Sequence, residues 1–159
     1  MTLAAPARAC WKDGFDDLEV GQVFTTPARR VVQDDVDAFA GLTGDHHPQH
    51  VDEAWAAASP FGGRIAHGLL VVSLAAGLVP FDPHRVLALR RVGDVVFKRP
   101  VRPGDEIRVD GRIEALRAID DDTGLVTLAW RVLDQDHRLV CRATVDVIWR
   151  RDQFVPIPL

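Results

Sequence analysis

Between residues 44 and 68 the chain collects the side chains best suited to moving protons. Gly44-Asp45-His46-His47-Pro48-Gln49-His50 sets one carboxylate and three imidazoles around a proline. Phe61-Gly62-Gly63-Arg64-Ile65-Ala66-His67-Gly68 then leads into the most apolar run of the sequence, Gly68–Pro80. A carboxylate and an imidazole can hold one water between them, one group taking a proton and the other giving one. A helix starting at Gly68 presents backbone N–H groups that have no partner inside the helix, and these suit an oxygen on which negative charge develops. The stretch therefore suits an acid/base pair held on a stiff turn and facing the start of that helix. The bare spacing also fits a plainer reading, with Asp45 as the cap of a turn and His50 as a satisfied polar residue at a helix entry. His67, at a helix start, reads as architectural. The histidines beside Asp45 also suggest zinc ligands. However, Pro48 opposes the helical spacing that His46 and His50 would need, and neighbouring His46 and His47 cannot easily both point inward, so no metal is expected.

The elements that must position these groups follow from periodicity. An entry turn at Glu19-Val20-Gly21 precedes a strand from Val23 to Val32, broken by Pro27. Asp34, Asp35 and Asp37 place negative charge in the first turn of a helix with Val36, Phe39 and Ala40 at i, i+3, i+4 spacing, and Gly44 ends it. Pro48 predicts an irregular turn rather than a helix between Asp45 and His50. Asp52 caps a short helix through Ala58 that carries Trp55 toward the core or a ligand. Gly68–Pro80 bears no charge on any face, so as a helix it must be surrounded by protein.

After that helix the period changes to two. Ile107, Val109, Gly111 and Ile113 alternate with polar residues, as do Val126, Leu128, Trp130 and Val132, and then Leu139 to Trp149. Val86–Phe97 is a less regular strand. Turns fall at 103–105, 120–124 and 134–137. One buried helix followed by an antiparallel meander implies an α+β fold in which a sheet curls around the helix.

Composition sets the outer limits. The 159 residues fit one domain, expected over 13–151, with a flexible tail at 1–12 and an apolar tail at 152–159. Hydrophobic residues are 47% and charged residues 26%, with no stretch of about 20 apolar residues to span a bilayer. A cytoplasmic protein is expected. The net charge of −4 provides no basic field for a phosphate backbone, so neither nucleic acid nor membrane is an expected partner. Cys10 and Cys141 read as free thiols.

Several separate stretches now resemble the MaoC-like hotdog hydratases and dehydratases, the (R)-specific enoyl-CoA hydratase family. Gly44 to His50, followed by Asp52, is similar to the family's pattern of Gly-Asp, a variable residue, Asn-Pro, a variable residue and His. Phe61 to Leu70 continues the likeness, and Phe97-Lys98-Arg99-Pro100-Val101-Arg102-Pro103-Gly104-Asp105 resembles the strand and turn after the central helix. The resemblance runs from about Phe15 to Arg150. It departs at His47, where an asparagine is usual, and at Ala76, where some hydratases carry a serine.

The resemblance implies a hotdog fold, a homodimer or higher homo-oligomer, and reversible addition of water to enoyl thioesters. Coenzyme A or acyl carrier protein would be the substrate carrier, and no cofactor is required. It assigns Asp45 and His50 as the acid/base pair and the Gly68 N–H as the donor to the thioester oxygen. His47, Trp55, Phe61, Arg64, Ile65 and His67 become candidate substrate contacts. Arg64, Lys98, Arg99 and Arg102 become candidate phosphate partners. Two other functions compete: a non-catalytic subunit shaping the acyl tunnel of an active hotdog chain, and a hotdog thioesterase or biosynthetic tailoring enzyme.

Overall fold

A computed structural model describes residues 11–152. Two short strands, β1 (Val23–Thr25) and β2 (Arg29–Arg30), flank Pro27, whose ring ends ladder pairing there. Helix α1 (Gln33–Thr43) follows, its Asp35 carboxylate accepting from the Val32 N–H at 3.0 Å. Gly44 stops it in the left-handed region at φ 81°, with its N–H bound to the Ala40 carbonyl at 2.8 Å. Pro48–Val51 forms a one-turn helix, α2, where an irregular turn was expected. Proline at the first helical position has no N–H to lose and a φ already set for the helix, so Pro48 starts the turn. Helix α3 (Glu53–Ala58) is capped by Asp52, whose carboxylate accepts from the Trp55 N–H at 2.9 Å.

The alternating segments form the long strands β3 (Val86–Phe97), β4 (Glu106–Ala118), β5 (Thr123–Asp134) and β6 (Leu139–Arg150). The sheet is antiparallel in the order β1-β4-β5-β6-β3, with β2 also on β4. Its inner face carries Ile107, Val109, Ile113, Val126, Leu128, Trp130, Val132, Val145, Val147 and Trp149, all buried. These are the apolar members of the two-residue period, and they pack with Leu70, Val71 and Ala75 of helix α4 (Gly68–Leu78). This is the hotdog architecture, a curled sheet around one helix. Among the described residues, no helix is long and apolar enough to cross a membrane.

The structure changes two of these expectations and bears out a third. Trp11, within the expected tail, stacks on Trp149 at 5.9 Å and meets Phe24 and Phe81 edge-on, so packing begins before residue 13; residues 1–10 and 153–159 lie outside the described residues. Helix α4 is not surrounded within one chain. Leu69 is 66% exposed, and Ser73 and Gly77 are exposed along the same side. Strand β3 is the less regular one, with register shifts between Val86 and Ala88, Leu89 and Arg91, and Gly93 and Val96.

Leu70, in the first turn of α4, is buried in the core that the helix shares with the sheet. Leu70→Ala is expected to destabilise the fold by about 2–5 kcal/mol through a cavity that packed strands cannot collapse, as measured by urea unfolding.

Candidate active site

The site is made from two segments, one on each side of α3. The first, at the end of α1, turns at Gly44 and delivers Asp45, whose Oδ1 accepts from the His47 N–H at 3.3 Å. His47 caps α2, its Nδ1 accepting from the Gln49 N–H at 3.2 Å. His50 stands on α2 with Nδ1 at 2.6 Å from the Ile65 carbonyl oxygen. A carbonyl can only accept, so the proton lies on Nδ1 and Nε2 keeps its lone pair.

The second segment runs into α4. Ile65 returns the link by donating its N–H to the Gln49 carbonyl at 3.2 Å, and Ala66 donates to the Val101 carbonyl at 2.7 Å. His67 is 3% exposed, and its Nε2 lies 2.9 Å from the Asp45 carbonyl oxygen. The same acceptor argument puts its proton on Nε2, leaving Nδ1 buried without a hydrogen-bond partner. The rings of His50 and His67 stack at 3.8 Å with 28° between planes, and Phe39 meets His67 at 5.0 Å.

Helix α4 begins at Gly68 with no side chain capping it, so its first N–H groups are left for a ligand or solvent. A Cβ at Gly68 would lie 2.7 Å from Phe97 Cζ, so any larger residue there would have to displace the Phe97 ring. Asp45, His50, Phe61, Ile65, His67 and Gly68 all line one cavity of about 530 Å³, with Lys98 and Arg99 at the same opening. This volume lies within the range of small-molecule sites.

His47, Trp55 and Arg64 stand outside that cavity. Trp55 faces neither core nor cavity; it is 45% exposed, with its ring edge-on to His47 at 5.3 Å. Arg64 pairs with Glu53 at 2.8 Å, and Arg102 donates to the Phe61 carbonyl, so both are spent on holding the loop before α4. Phe39, Gln49, Leu69 and Phe97 line the cavity although sequence reasoning did not select them. Phe39 was legible only as a helical core position. No local pattern brings Phe97, at the end of β3, onto Gly68.

Burial pushes the His50 imidazole below its usual value. The nearby His67 and His47 rings push the same way, while the Ile65 carbonyl and the Asp45 carboxylate push against them. His50 is thereby kept as a neutral base. Asp45, His50 and His67 each bring a donor atom within 4.8 Å of the others, so the histidine that joins this pair is His67 rather than His46 or His47. The arrangement suits proton transfer.

Comparison with known proteins agrees with this geometry. The MaoC-like domain model matches residues 17–134. The chain belongs to the MaoC-like domain family. It is 36% identical over 122 residues to the (R)-specific enoyl-CoA hydratase of Aeromonas caviae, a match covering 77% of this chain and 88% of that protein. Against Protein MaoC of Klebsiella aerogenes it is 40% identical over 96 residues, covering 60% of this chain but only 29% of that protein's length. Among solved structures, the monoamine oxidase regulatory protein from Archaeoglobus fulgidus superposes with a TM-score of 0.82 at 32% identity, covering 90% of this chain and 95% of that one. A Mycobacterium tuberculosis protein described as having a double hotdog fold superposes with a TM-score of 0.78 at 26% identity, covering 92% of this chain and 47% of that one.

In this member of the MaoC-like family, His47 occupies a capping position that asparagine fills well, and its ring lies 6.1 Å from His50. His47→Asn should keep the fold and raise the pH at which His50 protonates, because one contribution that disfavours the His50 cation is gone. Carbon-detected NMR titration of His50 in both proteins measures this.

Proposed function

We propose that this chain is a hydratase/dehydratase that adds water reversibly across the double bond of a 2-enoyl thioester, with Asp45 and His50 as the acid/base pair. The supporting observation is the convergence of three groups on one cavity: the Asp45 carboxylate, the His50 Nε2 lone pair and the open N-terminus of α4 at Gly68. The water oxygen bonds to C3 while a proton reaches C2, and the π electrons pass through an enolate. The negative charge that develops on the thioester oxygen falls to the Gly68 N–H and the dipole of α4. Asp45 and His50 between them hold the water, remove its proton and return one to C2. The reaction balances as water plus enoyl thioester giving 3-hydroxyacyl thioester, with no change of oxidation state overall. The name of the Aeromonas caviae relative supports a coenzyme A thioester. Lys98 and Arg99 at the opening offer cations for a phosphate-bearing carrier, coenzyme A or acyl carrier protein. The composition, with no long apolar stretch, suits the cytoplasm.

We also propose a homodimer. Strand β3 is the open edge of the sheet, and Leu87 at 56%, Leu89 at 52% and Phe97 at 48% exposure leave it apolar. An edge of this length and character is a template for another strand unless covered, and a second copy would cover it.

Two measurements test these proposals. Hydration assayed over a panel of enoyl-CoA chain lengths should show turnover, and Asp45→Asn and His50→Ala should each reduce it by at least about a hundredfold with the fold intact; near wild-type rates in either variant refute the assignment. Light scattering at micromolar concentration should give at least twice the 17.6 kDa of one chain, and Leu89→Asp should shift the protein toward monomer. A wild-type protein that scatters only as 17.6 kDa refutes the dimer.

A further inference from the structure

His67 lies in the cavity but has no role in the chemistry proposed above, and its surroundings are unusual. It is buried at 3% exposure, donates from Nε2 to the Asp45 carbonyl at 2.9 Å, and leaves Nδ1 buried with no partner. A buried polar atom without a hydrogen bond is costly, so a residue that keeps one calls for an explanation. Packing alone does not need an imidazole here, because an apolar ring would fill the space between Phe39 and His50 without an orphaned nitrogen.

We infer that His67 is a positioning residue with two separable tasks: its Nε2–H fixes the backbone that carries Asp45, and its ring, stacked on His50, holds that base in the neutral Nδ1–H form. The inference rests on the hydratase reading for its kinetic arm only. The first task follows from the link itself. Asp45 is in an exposed loop, with its side chain only loosely held by the His47 N–H at 3.3 Å. The His67 bond joins its carbonyl directly to the residue preceding Gly68, so carboxylate and oxyanion donor are set by one contact. The second task follows from the stack. The neutral His67 ring, 3.8 Å away, covers one face of His50 against water, and burial is the largest cause disfavouring the His50 cation.

The titratable and charged groups facing His50 are Asp45 and His47 from its own turn, His67 from the start of α4, and Lys98 and Arg99 beyond β3. Of these, Asp45 favours the His50 cation, while His67, neutral in this arrangement, acts by covering the His50 ring rather than by charge. Removing the His67 ring therefore raises the pH at which His50 protonates, and the acid limb of the rate profile moves up with it.

Two substitutions separate the tasks. His67→Gln keeps an N–H for the Asp45 carbonyl but removes the ring. The acid limb of its kcat/KM and the NMR midpoint of His50 should both move to higher pH. His67→Phe keeps the stack but removes the donor. It should lower kcat by about ten- to a hundredfold at every pH with little change in KM, as expected when a reacting group is displaced. Long-range proton–nitrogen correlation spectra of the wild type should show His50 protonated at Nδ1 and His67 at Nε2, whether or not the protein hydrates enoyl-CoA, so failure of the hydratase reading is distinguishable. His67 protonated at Nδ1, a Gln variant in which His50 titrates as in wild type, or a Phe variant with wild-type kcat overturns the assignment. If the Phe variant does not fold, the spectra and the Gln variant decide.

Discussion

The site depends on a reciprocal pair of hydrogen bonds in which each of two segments offers an imidazole N–H to a backbone carbonyl of the other. His50, on the first segment, reaches Ile65 at 2.6 Å, and His67, on the second, reaches Asp45 at 2.9 Å. The partners are 15 and 22 residues apart in sequence, so neither contact can be satisfied within a local turn. Each bond contributes only about 0.5–1.5 kcal/mol net, but leaving a buried donor unpaired costs about 1–3 kcal/mol. The clamp therefore matters more for geometry than for global stability. It also selects tautomers, since a carbonyl accepts and cannot donate. The tautomers of both imidazoles and the placement of both backbones thus come from the same two contacts.

Everything around the clamp serves to hold its two halves at fixed distance. Gly44 ends α1 where Asp45 must emerge, and Pro48 starts α2 so that His50 follows almost at once. On the other side, Ala66 is tied to Val101 and α4 is seated on the sheet through Leu70, Val71 and Ala75. The rigid element is the sheet, and the loop that carries Asp45 and His50 borrows its precision through α4. What the single chain does not supply is cover for the exposed side of that helix and for the apolar edge of β3. In the proposed homodimer a second copy would cover both.

The sequence carried the strands legibly because a sheet with one buried face demands period two. Ile107, Val109 and Ile113 on β4, and Val126 to Val132 on β5, are buried where alternation placed them. Gly44 and Asp52 were legible as helix boundaries for equally local reasons. Pro48 was misread as excluding helix, since a proline that forbids a helix interior is favoured at its first position. Trp55 was misread because a large apolar side chain on a short helix carries no signal for which side is covered. Phe97 was missed at the site because the contact between β3 and Gly68 is made by tertiary packing. His67 was legible as architectural, but its link to Asp45 was not, because a side-chain-to-carbonyl bond across 22 residues leaves no periodic trace.

The most direct test is a crystal structure of the slow Asp45→Asn variant with a short-chain enoyl-CoA bound. The account predicts the thioester oxygen at hydrogen-bond distance, about 3 Å, from the Gly68 nitrogen, and C3 facing the gap between position 45 and His50 Nε2. An acyl group bound elsewhere, or in this cavity with its thioester oxygen turned away from the start of α4, would contradict it.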